Sequence, residues 1–304
     1  MKNLNPDKKI YLFGSLVFLA IFLGFKFQNT NKGTLPNGQY SFTDVKTLDL
    51  NKDYNFAGEL VPKDNFDALE RLEREILVNA YWHSNTLMMV KKAKRYFPVI
   101  EKILAEQGVP DDIKYLAAAE SSFNNATSPS GAKGIWQFME GTGKEYGMEI
   151  NNDVDERNHL EKSTIAACKM LTKLKNKFGS WTMAAAAYNM GGNGLAKEME
   201  NQRASSYYDM NLNNETLRYV LRLIAIKEIF DNPERYGFAT EDGPLYKPLD
   251  NYYELSVDTT IANWGDFAKK YNTSYRMLKV YNPWLASYSL SNKERKPYVV
   301  RIPK

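Results

Sequence analysis

The sequence predicts a mostly α-helical protein, a helical body followed by a small α/β tail, on three observations. From residue 65 onward apolar residues recur at three and four, as in Phe66, Leu69, Leu72 and Ile76, the spacing of one helix face. Alternation of the strand type is scarce before residue 250. After residue 250 the pattern changes to a strand, two short helices and a closing strand. Hydrophobic content of 43% with 25% charged residues is that of a globular chain and excludes disorder for the bulk of it.

Taken in order, Ile10 to Phe25 is a run of sixteen residues without a charge, preceded by Lys8 and Lys9 and followed by Lys26. A full span needs ~20 apolar residues, so the run is short, and the flanking lysines can reach the interface. Residues 1–27 are expected to be a signal anchor or a signal peptide. Lys8 and Lys9 favour a cytoplasmic N-terminus, with the rest of the chain exported to the periplasm. Residues 28–55, rich in Asn, Thr, Gly and Lys, read as a linker. A helical stretch from Asn65 to about Glu106 is interrupted by Pro98. Gly108-Val109-Pro110-Asp111-Asp112 is a stop and a new start, with Pro110 suited to a first helical position and the two acids to the positive end of a helix. Further helices are expected at 162–178, 181–190 and 215–230.

Composition excludes several chemistries. The chain has one cysteine, Cys168, in an apolar helical stretch, so it forms no internal disulfide and reads as a buried thiol. Two isolated histidines, His83 and His159, do not make a zinc site or a serine-histidine triad. No metal or organic cofactor is implied. A net charge of +4 over 304 residues is weak evidence for any anionic partner, and no nucleic acid is expected.

The residue with the clearest chemistry is Glu120. On the helix opening at Pro110 it follows Ile113, Leu116 and Ala117 at 0, +3, +4 and +7, so it shares their apolar face. Desolvation there penalises the charged carboxylate and raises its pKa, as a general acid near neutral pH requires. On this feature alone a helix-end glutamate turned to solvent is the readier reading. Two glycines three apart, Gly131 and Gly134, permit tight turns and close backbone approach to a ligand. Gln137 carries a donor and acceptors suited to an acetamido or hydroxyl group. Tyr188 lies seven residues after Trp181 on one face, beyond the run Ala184–Ala187 that lets helices approach closely, and Gly191 and Gly192 stop that helix.

In order along the chain these segments read Glu-Ser-x-Phe-Asn (Glu120 to Asn124), Ser-Pro-x-Gly-Ala-x-Gly-Ile-Trp-Gln-Phe-Met (Ser128 to Met139), Ala-Tyr-Asn-x-Gly (Ala187 to Gly191) and Glu-Thr-x-x-Tyr-Val (Glu215 to Val220). Over about residues 65 to 245 the chain resembles the lytic transglycosylase family with the goose-type lysozyme-like fold. It departs by one residue fewer between Glu120 and Ser128 and by Glu140 where proline often follows the methionine. The resemblance implies a helical catalytic domain, 56–245, acting on the glycan strands of peptidoglycan with one carboxylate. Glu120 would be that acid and base. Ser121, Ser128, Gln137, Met139, Tyr188 and Asn189 would contact or position the sugar, and Tyr219 would steer Glu120. The tail, 250–304, resembles a LysM module, a fold that binds N-acetylglucosamine chains; a cap packed on the catalytic domain is the alternative. A lysozyme-type hydrolase of the same fold would want a second acid, for which Glu140, Glu145, Asp153 and Asp155 are available. A non-catalytic wall-binding protein is the remaining class.

Overall fold

A computed structural model describes residues 46–238 and 246–304. The signal-anchor segment lies outside the described residues. Among those residues no helix is long and apolar enough to cross a membrane.

A two-stranded ladder, β1 (Asn55–Phe56) with β2 (Glu59–Leu60), precedes the helices. Tyr54 just before it is buried and Leu48 packs on the core, so the chain meets the helical body before the first helix. Helix α1 (Phe66–Tyr81) opens at Asn65, whose side chain accepts from the Ala68 amide at 3.0 Å. It is followed directly by α2 (His83–Glu106). The break between them falls at Trp82, and Pro98 sits inside α2 without ending it. Proline 98 removes one backbone donor, but Pro98 and Lys94 are both exposed, so water can satisfy the Lys94 carbonyl. At the break the Thr86 hydroxyl donates to the Asn79 carbonyl at 2.6 Å and fixes the elbow.

A turn of 3-10 helix at Asp111–Ile113 leads into the short α3 (Lys114–Ser121). A loop and one turn, α4 (Glu140–Glu145), connect to α5 (Leu160–Phe178) and α6 (Trp181–Met190). Gly179, at φ +89°, ends α5, and Ser180 caps α6 by accepting from Met183 N. Ala184 to Ala187 are fully buried, so α6 fits closely between α5 and α8 (Asn214–Asp231). Gly191 stops α6, and Gly192 opens a further helix, α7 (Gly192–Gln202). Cys168 is buried in α5, and burial pushes its thiol up to about 12, which makes it inert.

The tail has the predicted order: β3 (Tyr252–Val257), α9 (Trp264–Lys270), α10 (Tyr275–Tyr281) and β4 (Tyr298–Pro303). The strands pair antiparallel with Val257 against Tyr298 and Tyr252 against Pro303. Their inner faces close a second core around Trp264, Leu278, Val300 and Ile302. Val154 of the helical body belongs to this second core, so the tail is docked. The Asp155 amide donates to the Trp284 carbonyl and the Ala286 amide to the Asp153 carbonyl, both at 2.8 Å. The Asp153 carboxylate accepts from the Ser287 hydroxyl at 2.8 Å and the Ser291 amide at 2.9 Å. Arg301 pairs with Glu161 at 2.5 Å, and Glu149 pairs with Lys296 and accepts from the Tyr298 hydroxyl.

Candidate active site

Helix α3 buries Ile113, Leu116 and Ala117, and Glu120 follows on the same side at its C-terminal end. The chain then reverses through two left-handed residues that are not glycine, Ser122 at φ +50° and Phe123 at φ +57°. Such conformations cost of order 1 kcal/mol each and persist where packing over-determines them. Here Phe123 is the anchor: it is buried, stacked on Tyr96 at 5.6 Å and edge-on to Phe97 at 5.5 Å. The Asn124 side chain donates to the Ser121 carbonyl at 2.9 Å and closes the turn. Glu120 is thereby held at the end of a rigid helix.

Glu120 lines an open cleft of about 500 Å³. The hydroxyl of Tyr219, fully buried on α8, donates to its Oε1 at 2.5 Å. Burial is the main influence on the acid and pushes its pKa up to about 7 from 4.5. The Tyr219 hydrogen bond and the Arg222 charge pull it down, and Glu215 pushes it up. Because that hydrogen bond favours the ionised form, Tyr219→Phe is expected to raise the Glu120 pKa further, by about one pH unit. A ¹³C-carboxyl NMR titration checks this; an unchanged or lower value contradicts it.

Among the described residues two carboxylates line the cleft, and the second is not free. Glu75 is buried on α1, bonded by Arg218 at 2.6 Å and Arg74 at 2.7 Å, with Arg222 3.7 Å away. The other acids considered for a hydrolase lie elsewhere. Glu140 pairs with Lys144 and Glu145 with Lys173 on the surface. Asp153 is used in docking the tail. Asp155 is buried, with Arg157 at 2.8 Å and Lys133 at 3.0 Å.

The remaining predicted residues divide into cleft walls and supports. The segment 126–138 folds back on itself through antiparallel bridges of Lys133 with Thr127 and Phe138. Ser128 and Gln137 line the cleft from this segment. The Ser128 hydroxyl accepts from the Ala132 amide at 3.0 Å, so it shapes the turn. Gln137, at φ +50°, donates through Nε2 to the carbonyls of Gly134 at 2.8 Å and Ala126 at 3.2 Å, so its Nε2 is used within the hairpin. Ser121 lines the cleft, but its hydroxyl is directed at the carbonyl oxygens of Ile135 (2.9 Å) and Ala117 (3.2 Å), tying α3 to the hairpin. Tyr188 donates to the Trp136 carbonyl at 2.6 Å, and burial, reinforced by the Glu120 charge, raises its phenol well above the usual tyrosine value. Asn189 and Met139 do not line the cleft. Asn189 accepts from the Thr216 hydroxyl at 2.8 Å, joining α6 to the start of α8, and Met139 is exposed. The close approach allowed by Gly134 is to the chain itself, to the Arg157 carbonyl.

The cleft wall also holds groups that the sequence pattern did not single out: Glu75, Arg218, Arg222, Trp82, Asn79 and Asn85. A signal existed for two of them. Glu75 and Asn79 fall at +3 and +7 from Leu72, polar residues on the buried face of α1, where an apolar residue is the rule.

Comparison with known proteins assigns two parts of the chain to families. Residues 97–211 match the Transglycosylase SLT domain, and residues 253–304 match the Soluble lytic transglycosylase C-terminal LysM-like domain. Over 241 residues the chain is 29% identical to the membrane-bound lytic murein transglycosylase D of Escherichia coli K12, covering 77% of this chain and 51% of that protein. The chain thus spans about half the length of the curated relatives it matches. Among solved structures, the 70 kDa soluble lytic transglycosylase of Escherichia coli aligns with a TM-score of 0.40 at 18% identity, covering 60% of this chain and 36% of that one. An inactive variant of the lytic transglycosylase Slt of Pseudomonas aeruginosa aligns with a TM-score of 0.38 at 19% identity, covering 49% and 25%. The chain therefore carries a transglycosylase SLT domain followed by a C-terminal LysM-like domain of the soluble lytic transglycosylase type.

Proposed function

We propose that this chain is a peptidoglycan lytic transglycosylase in which Glu120 is the single acid and base. The observation that carries the reading is the pairing of a carboxyl raised to about 7 with a cleft whose other carboxylate, Glu75, is already engaged by arginines. Glu120 starts protonated. It gives its proton to the β-1,4 glycosidic oxygen between N-acetylmuramic acid and N-acetylglucosamine as the bond to the muramyl C1 breaks. The resulting Glu120 carboxylate is stabilised by the Tyr219 hydroxyl. It then takes the proton from the C6 hydroxyl of the same muramyl residue, whose oxygen closes on C1. The product is a 1,6-anhydro end, Glu120 regains its proton, and no water is consumed. Intramolecular attack is favoured because both reacting atoms belong to one bound sugar.

In this reading Tyr219 positions Glu120, and Gln137 Oε1 accepts from an acetamido N–H or a hydroxyl. Ser121, Ser128, Tyr188 and Asn189 keep α3, the hairpin and α6 in register around the sugar. Met139, at the exposed end of the hairpin, could meet only a part of the strand beyond the cleft. The catalytic unit is assigned to 56–245 and the LysM-like module to 250–304. The apolar run at 10–25 supports export to the periplasm and a membrane anchor.

Sacculi digested with the wild-type protein are expected to release muropeptides with anhydro ends, each lighter by one water than its hydrolysed counterpart, and Glu120→Gln none. Reducing muramic ends in their place would move the assignment to a lysozyme-type hydrolase. Digestion unaffected by Glu120→Gln would move it to a non-catalytic wall-binding protein.

A further inference from the structure

The elbow between α1 and α2 has features that neither the helical core nor the proposed chemistry explains. Trp82, at φ −81° and ψ 55°, belongs to neither helix and lines the same cleft as Glu120. Its indole is 57% exposed, whereas Trp136, Trp264 and Trp284 are buried. Leaving so large an apolar ring in water forgoes the stabilisation that burial brings, and an exposed aromatic rim on a cleft is a common mark of a contact surface. Three residues on, Asn85 lines the cleft with an amide Nδ2 that is shut off from solvent and has no hydrogen-bond partner. Orphaned buried donors are unusual in folded chains and costly to leave unmade. Asn79, one turn before Trp82, also lines the cleft. Its Nδ2 is held by the Glu75 carbonyl at 2.8 Å, which leaves Oδ1 as a second acceptor there.

We infer that Trp82, Asn85 and Asn79 form a further sugar subsite of the cleft, which takes an N-acetylhexosamine ring of the glycan strand. A pyranose presents C–H groups on one face and polar groups around its edge. The indole meets the face. The Asn85 Nδ2 donates to the acetamido carbonyl, and the Asn79 Oδ1 accepts from a hydroxyl or the acetamido N–H. The elbow is suited to this because the Thr86 to Asn79 hydrogen bond fixes its backbone and the Glu75 carbonyl fixes the Asn79 amide before a ligand arrives, so less ordering is lost on binding. This inference rests on the proposed action on peptidoglycan and names a place where the strand is gripped.

The test uses the full chain carrying Glu120→Gln, which binds without cutting. Titration with N-acetylglucosamine tetramer is expected to change tryptophan fluorescence, and the change is expected to vanish when Trp82→Phe is added. In the otherwise wild-type protein Trp82→Ala is expected to raise KM on glycan strands about tenfold, with the loss falling mainly on KM. Asn85→Leu is expected to act in the same direction, because it removes the donor at similar volume. Since Trp82 is exposed, Trp82→Ala should melt like the wild type. A fluorescence change that survives Trp82→Phe, or a KM unmoved by both substitutions, overturns the subsite. A response to free stem peptide without one to the tetramer also overturns it, in favour of a peptide site. Wild-type digests lacking anhydro ends, with the Trp82 response to the tetramer intact, would sink the proposed reaction and leave the sugar subsite standing.

Discussion

Replacing Glu120 with Gln is expected to lower turnover on sacculi by about 10³-fold or more. Positioned general acids contribute about 10² to 10⁴ in rate. In the proposed reaction one residue serves both as acid and as base, so the loss should fall in the upper half of that range. The substitution is close to isosteric, and its amide oxygen can still accept from the Tyr219 hydroxyl, so the fold is retained while the transferable proton is gone. Release of soluble muropeptides measures the loss, and a variant retaining a tenth of the rate contradicts the assignment. Stability supplies a second readout with a definite sign. A carboxyl raised from 4.5 to about 7 binds more protons in the folded state than in the unfolded state between those values. Folding stability of the wild type therefore falls as pH rises through that window, and Glu120→Gln should remove that part of the fall.

Replacing Gly134 with Ala is expected to destabilise the fold by about 3 kcal/mol. A Cβ at this position would lie 1.9 Å from the Arg157 carbonyl oxygen and 2.7 Å from its carbon, at φ +82°. Overpacking costs about 1 to 3 kcal/mol and a left-handed backbone about 1 kcal/mol more. The neighbour cannot yield cheaply, because Arg157 is fixed by its own hydrogen bonds to Asp155, to the Gly131 carbonyl at 3.0 Å and to the Phe138 carbonyl at 3.3 Å. Gly131→Ala is the control. It has a similar φ of +87° but meets nothing within 4 Å, so only the backbone cost of about 1 kcal/mol applies. Urea denaturation of the two variants compares these costs, and equal midpoints would contradict the close approach. The same substitution should also depress activity, since Gly134 and Arg157 set the hairpin that carries Gln137.

Much of this site was legible in the sequence. The spacing of Ile113, Leu116, Ala117 and Glu120 placed the acid on an apolar face, and the observed desolvation follows from that placement. The strand–helix–helix–strand order of the tail was equally plain, because Asn and Pro punctuate short elements there. By spacing alone Tyr219 is one more aromatic on the buried face of α8, and its hydroxyl donates to Glu120. What stayed hidden depends on contacts between distant residues. Nothing in Ser122 or Phe123 announces a left-handed backbone, since that conformation is imposed by burial of the Phe123 ring against Tyr96 and Phe97. Gly134 reads as a ligand-approach glycine until Arg157, over twenty positions on, is placed against it. Pro98 reads as a breaker because the exposure of its turn is not visible in the pattern. The elbow at Trp82 was hidden for the same reason. Asn189 and Ser121 belong to the motifs, yet their hydrogen bonds go to the protein, so motif membership alone does not separate wall from support.

The docked tail sharpens one further point. Asp153 and Asp155, possible second acids by sequence, are instead the joint between the helical body and the LysM-like module. Their carboxylates are occupied by Ser287 and Ser291 in one case and by Arg157 and Lys133 in the other. Among the described residues neither of them is free to serve as the second acid that a hydrolase would want.

In the proposed reaction Glu120 enters protonated because burial holds its pKa near neutrality. The pH dependence of kcat/KM on soluble glycan strands tests this most directly, since it reports the ionisation of the free enzyme's essential acid. kcat/KM is expected to fall as pH rises through about 7, and Tyr219→Phe is expected to move this fall to higher pH. A fall centred near the ordinary carboxyl value of 4.5, or a limb unmoved by Tyr219→Phe, would contradict it.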